Sequence, residues 1–417
     1  MTERDQRQRV IEGMVAATAR YGYGDASVAR AIKLAGVSRA TFYEHFANKD
    51  ECILTACRQL AGAVEWELEQ ERDDLPREIL RAFLGGADRD PAAARFLLIE
   101  TLAAGPAVRA EQNRLLGVGE EAVERYLTNP PPGAPVLGIG AAAAMGGITN
   151  VMAVRLFRGE IGRLNALRDD LLAWIGSYEM PPSHPRPNRE TWRELGRTLA
   201  AQQRLIELPE DPYPPASSGV ERRKIVDAVT RLAVEKGYTA MTVADMVAGA
   251  GITREAFYEQ FRGKADAYQA AQAFALEAGV SVTAARFFGE RAWRDRVWNG
   301  LEGMLRFAVS RFDLVYVDLI ESYAAGPSAI RRSIEHRMAF NLFLEDGYRQ
   351  RPQAGGLPRL CSEAIGGAIW EMLRRQVFAD QGTTVDELIP QVVYLALAPF
   401  LGPVAALELV EARCASE

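Results

Sequence analysis

The chain has 417 residues, 48% of them hydrophobic and 25% charged; this is the composition of folded globular domains, two to three of them at this length, and it excludes a collagen-like, mainly disordered or disulfide-stapled chain. Its 49 basic and 55 acidic side chains leave a net charge of −6, so no global positive potential marks a nucleic-acid binder and any such case rests on local features. Cys52, Cys57, Cys361 and Cys414 show no CxxC spacing and no histidine cluster beside them, which points to reduced packing residues rather than a zinc site.

The N-terminus is charged and lacks the apolar core of a secretory signal, so a cytoplasmic protein is expected. Val10, Ile11, Met14, Val15 and Thr18 recur at helical spacing. Residues 27–46 then divide into a short helix from Val28 to Leu34, a turn at Ala35-Gly36-Val37 and a second short helix opened by Ser38 as N-cap. Ile32, Val37, Phe42 and Phe46 point inward, which leaves Arg39, Ala40, Thr41, Tyr43 and His45 on or near the outer face. This pattern is a helix-turn-helix, whose second helix can lie in a DNA major groove.

Further on, Asp90-Pro91 reads as a helix N-cap with a first-turn proline, and Ala103-Ala104-Gly105-Pro106 reads as a helix stop. Two uncharged stretches, 126–154 and 388–407, are interrupted by prolines, and no membrane span is expected from them. Residues 180–219 hold eight of the 21 prolines and end in Ser217-Ser218-Gly219, a linker composition. Within that stretch Trp192, Leu195, Leu199 and Ile206 predict a short helix over Thr191–Leu208, docked on one of the halves. Ile225, Val226, Val229 and Ala233 resume the helical pattern, and strand-like alternation is essentially absent. The fold class predicted is all-α.

The chain is one domain written twice. A shift of 215 lays Gly22-Tyr23 over Gly237-Tyr238, Ala35-Gly36 over Ala250-Gly251 and Phe42-Tyr43-Glu44 over Phe257-Tyr258-Glu259. A shift of 221 lays Glu100-Thr-Leu-Ala-Ala-Gly-Pro106 over Glu321-Ser-Tyr-Ala-Ala-Gly-Pro327, and a shift of 220 superposes Gly146-Gly147 on Gly366-Gly367 and Met152 on Met372.

Ser27, Ala35 to Ser38, Thr41 to Phe46 and Lys49, repeated as Thr242, Ala250 to Thr253, Phe257 to Phe261 and Lys264, resemble the DNA-binding head of the tetracycline-repressor (TetR) family. The resemblance implies that Ser27, Thr41, Tyr43, His45 and Lys49 hold phosphates of double-stranded DNA, with Lys49 at a helix start where the dipole adds an anion site. Beside the Ser38 cap, Arg39 reads a base edge or sits on a phosphate. The matching set in the second copy is Thr242, Thr253, Arg254, Tyr258, Gln260 and Lys264. That copy departs at Glu255 for Ala40, Ala256 for Thr41 and Gln260 for His45. A carboxylate there is repelled by phosphates but can accept from cytosine N4, so this head is expected to be weaker and differently specific.

The resemblance further implies two fused TetR-like repeats forming an intramolecular pseudo-dimer. Residues 1–60 and 220–275 would be the heads, 61–179 and 276–417 the ligand-binding and dimerisation bundles, and 180–219 the linker. Ala141–Phe157 and Leu164–Ile175 would pair with Glu363–Phe378 and Val385–Ala398 in a four-helix bundle, and the paired glycines suit close helix approach. The bundle interiors could hold a small apolar or aromatic effector; the candidates are Phe96, Ile99, Met145 and Met152 in the first half and Trp298, Phe307, Tyr316, Tyr323 and Trp370 in the second. No catalytic triad, Walker or metal-ligand spacing is present, so neither an enzyme nor a cofactor is expected. A transcriptional regulator, a repressor acting from an imperfect palindromic operator as a monomeric pseudo-dimer, is the expectation. A ligand-binding or protein-interaction module with a degenerate second head is the alternative.

Overall fold

The computed structural model describes residues 3–70, 75–160, 162–202, 219–350, 356–378 and 384–415. The first half opens with α1 (Glu3–Tyr21), which stops at Gly22 in the left-handed region (φ 82°), followed by α2 (Val28–Ala35), α3 (Arg39–His45) and α4 (Lys49–Gln70). Its body comprises α5 (Leu75–Arg89), α6 (Pro91–Leu98), a 3-10 turn at Glu100–Ala103, α7 (Pro106–Thr128), α8 (Ala141–Phe157), a 3-10 turn at Leu164–Leu167 and α9 (Arg168–Gly176). Asp90 caps α6 by accepting from Ala93 N at 2.9 Å, with Pro91 in the first turn where its missing N–H costs nothing. These are the signals read from the sequence.

The helix α10 (Arg189–Ala201) opens with a capping box in which Asn188 accepts from Thr191 N and Thr191 accepts from Asn188 N. It is shorter than expected, and Ile206 and Leu208 lie outside the described residues. The second half repeats the order: α11 (Val220–Ala240), broken at Gly237 (φ 73°), α12 (Val243–Ala250), α13 (Arg254–Gln260), α14 (Lys264–Phe287) and α15 (Trp293–Ser310). After α16 (Phe312–Tyr316), a π turn at Val317–Glu321 and α17 (Ser322–Ala324) come α18 (Pro327–Asn341), α19 (Gly347–Gln350), α20 (Leu360–Phe378), α21 (Val385–Leu401) and α22 (Pro403–Ala415). The all-α expectation holds. Against it stand only, among the described residues, two two-residue strands, Val136–Leu137 and Glu179–Met180, paired antiparallel. Among the same residues no helix is long and apolar enough to cross a membrane.

Each head has its own small core, centred on Phe42 and Phe46 in the first and on Phe257 and Phe261 in the second, whereas a single central core runs through both bodies. The two bodies meet along α8 and α20. Glycines set that approach, because a Cβ on Gly146 would stand 2.6 Å from Glu371 Cβ and one on Gly367 would collide with Asn150 Cβ. These two contacts are images of each other at a spacing of 221, the spacing of Glu100 and Glu321 and one more than the sequence superposition of the glycine pairs suggested. Arg155 crosses the seam to Glu363 with two hydrogen bonds of 2.9 Å, and Arg375 crosses it to Glu120.

The expected four-helix pairing is met on α20, against which both α8 and α9 pack, whereas α21 packs mainly against α10, α15 and α22. The Trp192 ring lies 5.2 Å from Tyr394, and Gly196 lets α10 approach the Glu387 backbone so closely that a Cβ would stand 2.7 Å from its nitrogen. The helix within the proline-rich stretch is therefore built into the second half.

Candidate nucleic-acid interface

The two helix-turn-helix units are built by the same local devices. Ala35 and Ala250 end the first helix of each unit, and Gly36 and Gly251 turn the chain at φ 63° and 64°, angles that a Cβ disfavours. Ser38 then accepts from Thr41 N at 3.0 Å and Thr253 accepts from Ala256 N at 3.2 Å, so each following helix starts from a satisfied cap. Phe42 and Phe257 are fully buried and anchor these helices. Ile32 and Val37 are half-buried beside them.

On the outer face Arg39 is stacked over Tyr43 with its guanidinium carbon 5.6 Å from the ring centre, and Arg254 over Tyr258 at 5.9 Å. Tyr43 and Tyr258 are 48% and 49% exposed, so both units offer the same arginine–tyrosine surface. Ser27 is exposed and caps α2, accepting from Arg30 N at 3.3 Å, while Thr242 caps α12 in a reciprocal box with Asp245. The units differ where the sequences differ. Ser38 and Thr41 share a hydroxyl–hydroxyl hydrogen bond of 2.9 Å, which Ala256 removes, and Glu255 stands exposed in the first turn of α13.

Three sequence candidates are placed less openly than their chemistry suggested. Lys49 Nζ donates to Tyr23 O at 3.0 Å and lies 4.2 Å from the Tyr23 ring centre. Lys264 Nζ likewise donates to the carbonyls of Tyr238 and Met241, at 2.9 and 3.0 Å. Burial lowers the pKa of both ammonium groups. His45 is half-buried with Nε2 lacking a hydrogen-bond partner.

Two residue pairs carry roles that the sequence did not assign. Glu100 and Glu321 are buried carboxylates that accept from the backbone N–H of Tyr23 (3.1 Å) and Tyr238 (2.5 Å), fixing each head's Gly-Tyr turn to its body. Arg7 and Arg222 cover Phe46 and Phe261 at 5.2 and 4.3 Å. The repeat itself was the available signal, since both pairs recur in register.

The bodies contain cavities. One lies between Thr283, Phe287, Val297, Phe343 and Ile369, and another beside it is lined by Phe307 and His336; both share Met304, Phe340 and Trp370. Tyr323 and Trp370 also face a cavity on the α8–α20 seam. Phe96 is packed in the first head's core and Ile99, Met145, Met152 and Trp298 in the central core, none of them lining these cavities. Tyr316 is half-buried and hydrogen-bonded to Glu321.

Residues 11–56 and 225–271 match the family described as "Bacterial regulatory proteins, tetR family". The HTH-type transcriptional regulator BetI of Pseudomonas aeruginosa is 33% identical over 85 residues, 19% of this chain and 43% of that protein. The uncharacterized HTH-type transcriptional regulator YerO of Bacillus subtilis is 24% identical over 90 residues, 21% of this chain and 31% of its own length. The chain thus spans less than half the length of these curated relatives. Among solved structures, the fatty acid degradation regulator FadR from Bacillus halodurans is 18% identical with a TM-score of 0.40, covering 43% of this chain and 96% of that one. Both matches fall in register with the internal repeat, so the chain carries two segments similar to the TetR family's DNA-binding domain.

Proposed function

We propose that the chain is a sequence-specific DNA-binding transcriptional regulator, a cytoplasmic repressor whose two non-identical heads act as an intramolecular pseudo-dimer. The observation that carries this reading is the pair of capped, solvent-facing helices α3 and α13, each presenting an arginine stacked on an exposed tyrosine. In this reading residues 1–60 and 220–275 are the heads, 61–179 and 276–417 the bodies, and 180–219 the connection. Arg39 and Arg254 reach base edges, and Ser27, Ser38, Thr41, Tyr43 and His45, with Thr242, Thr253, Tyr258 and Gln260, line the phosphates. Lys49 and Lys264 support the turns beneath. The operator is an imperfect palindrome with half-sites about one helical turn, roughly 34 Å, apart.

A small apolar or aromatic effector in the second half's paired cavities, against Phe307, Phe340 and Trp370, favours one arrangement of the bodies and releases DNA by population shift. Selection of bound sequences from genomic DNA by the purified full chain, at fixed salt, tests the reading. Two unlike half-sites one turn apart support it, and no enrichment overturns it. Glu255 and the missing Thr41 hydroxyl favour a second reading, in which the second head contributes no base contacts; enrichment of one half-site alone selects that reading.

A further inference from the structure

The seam cavity lies on the pseudo-twofold axis. Its walls pair residues 221 positions apart, Leu116 with Arg337, Asn150 with Glu371 and Ala153 with Arg374, the spacing that also relates the Gly146 and Gly367 contacts. In each of these pairs the ionisable group belongs to the second half. Two identical chains would present every such group twice, facing its own copy across the axis. Fusion removes the copy, so a lone charge can stand on the axis without a like charge opposite.

One cation is left over. Burial pushes the Glu371 carboxyl up, but the guanidinium groups of Arg374 and Arg375 outweigh it and hold it below the usual range. Arg375 also pairs with Glu120, and Arg374 donates to Asn113 at 3.4 Å, so this cluster is internally neutral. Arg337 makes no ion pair among the described residues, and its Nε is buried without a hydrogen-bond partner. The same cavity presents Leu98, Leu319 and the face of Trp370 as apolar wall. A lone guanidinium beside such a wall matches a planar anion on an apolar body.

We propose that this axial cavity binds one small organic carboxylate per chain, its carboxylate accepting from Arg337 and its apolar part lying against Trp370. The site is distinct from the second half's apolar cavities but shares the Trp370 wall with them, so each occupant senses the other.

Isothermal titration calorimetry on the full chain without DNA tests this, using straight-chain carboxylates of increasing length and aryl carboxylates, each against its neutral amide. At least one carboxylate is expected to bind once per chain, roughly tenfold or more tighter than its amide. Arg337→Leu, which installs the residue of the first-half counterpart, is expected to abolish that preference; Arg337→Gln decides by the same criterion if the leucine variant fails to fold. No carboxylate binding, equal binding of acid and amide, two equivalents per chain, or a preference that survives loss of Arg337 each overturns the proposal. DNA affinity does not enter the readout, so its failure and that of the regulator reading are separable.

Discussion

The backbone N–H of Tyr23 donates to Glu100 Oε2 at 3.1 Å, which ties the turn after α1 to the body's 3-10 turn. Glu100 is 2% exposed and its other oxygen accepts from Arg95 at 3.1 Å. Glu100→Ala would leave a backbone donor and a largely buried guanidinium without their acceptor, and a loss of about 2–4 kcal/mol is expected. Urea unfolding measures it. Glu100→Gln is expected to lose less, because an amide oxygen still accepts from Tyr23.

Burial raises the Glu321 carboxyl above its ordinary value of 4.5, against the opposing effects of the Tyr238 N–H, Arg109 and the Tyr316 hydroxyl. A raised native value means that the folded chain keeps a proton the unfolded chain has released. The group's contribution to stability is therefore fully present below pH 4.5 and is lost as pH rises through the native value. Subtracting the stability–pH profile of E321Q, which cannot titrate there, from that of the parent chain is expected to leave a difference that falls with pH in this window. A flat difference would show that Glu321 is not shifted.

At the seam, Gly367→Ala places a Cβ against Asn150 and Gly146→Ala places one 2.6 Å from Glu371 Cβ, both between helices held by Arg155–Glu363. Neither neighbour is a freely swinging chain end, so α8 and α20 must separate. A loss of about 1–3 kcal/mol is expected for each, read by thermal unfolding, with Gly176→Ala, whose Cβ would meet nothing within 4 Å, as the mild control.

The heads were legible because their structure is local: Gly36 and Ser38, or Gly251 and Thr253, act within a few residues of their own positions. The linker helix was legible as a helix, but its seat on α21 was not, since it depends on Gly196 meeting Glu387 across 191 positions. The same holds for the seam register and for the strand pair, where Val136 faces Met180. The Glu100 and Glu321 contacts were written in the repeat, yet only the fold shows that their carboxylates reach Tyr23 and Tyr238. Lys49 stands at a helix start as its anion-binding chemistry suggested, but that its ammonium also meets the carbonyl and ring of Tyr23 was not legible, because Tyr23 lies 26 positions away.

All four cysteines are buried. Burial pushes the thiols of Cys52, Cys57 and Cys361 up to about 12, so almost no thiolate exists at neutral pH and reagents lack access. Ellman's reagent is expected to find essentially no reactive thiol in the native chain and four after denaturation. Fast labelling of any one of them under native conditions would contradict this packing.

Arg39 and Arg254 share one geometry, but their surroundings differ in charge. Beside Arg39 stands Ala40 with the Ser38–Thr41 hydroxyl pair; beside Arg254 stands the exposed carboxylate of Glu255, with no hydroxyl at Ala256. If both arginines read base edges, Arg39→Ala and Arg254→Ala each cost about 1–3 kcal/mol of binding, a loss of roughly tenfold or more. Glu255 separates the possible origins of the second head's weakness. Were it merely repelling phosphates, Glu255→Ala would tighten binding to all sequences alike and most at low salt, where charges are least screened. Were it accepting from a cytosine, the same substitution would weaken the selected site while leaving random DNA unchanged or tighter bound. Fluorescence anisotropy with both DNAs at two salt concentrations distinguishes these, and the cytosine outcome is the one expected of a head that reads its own half-site.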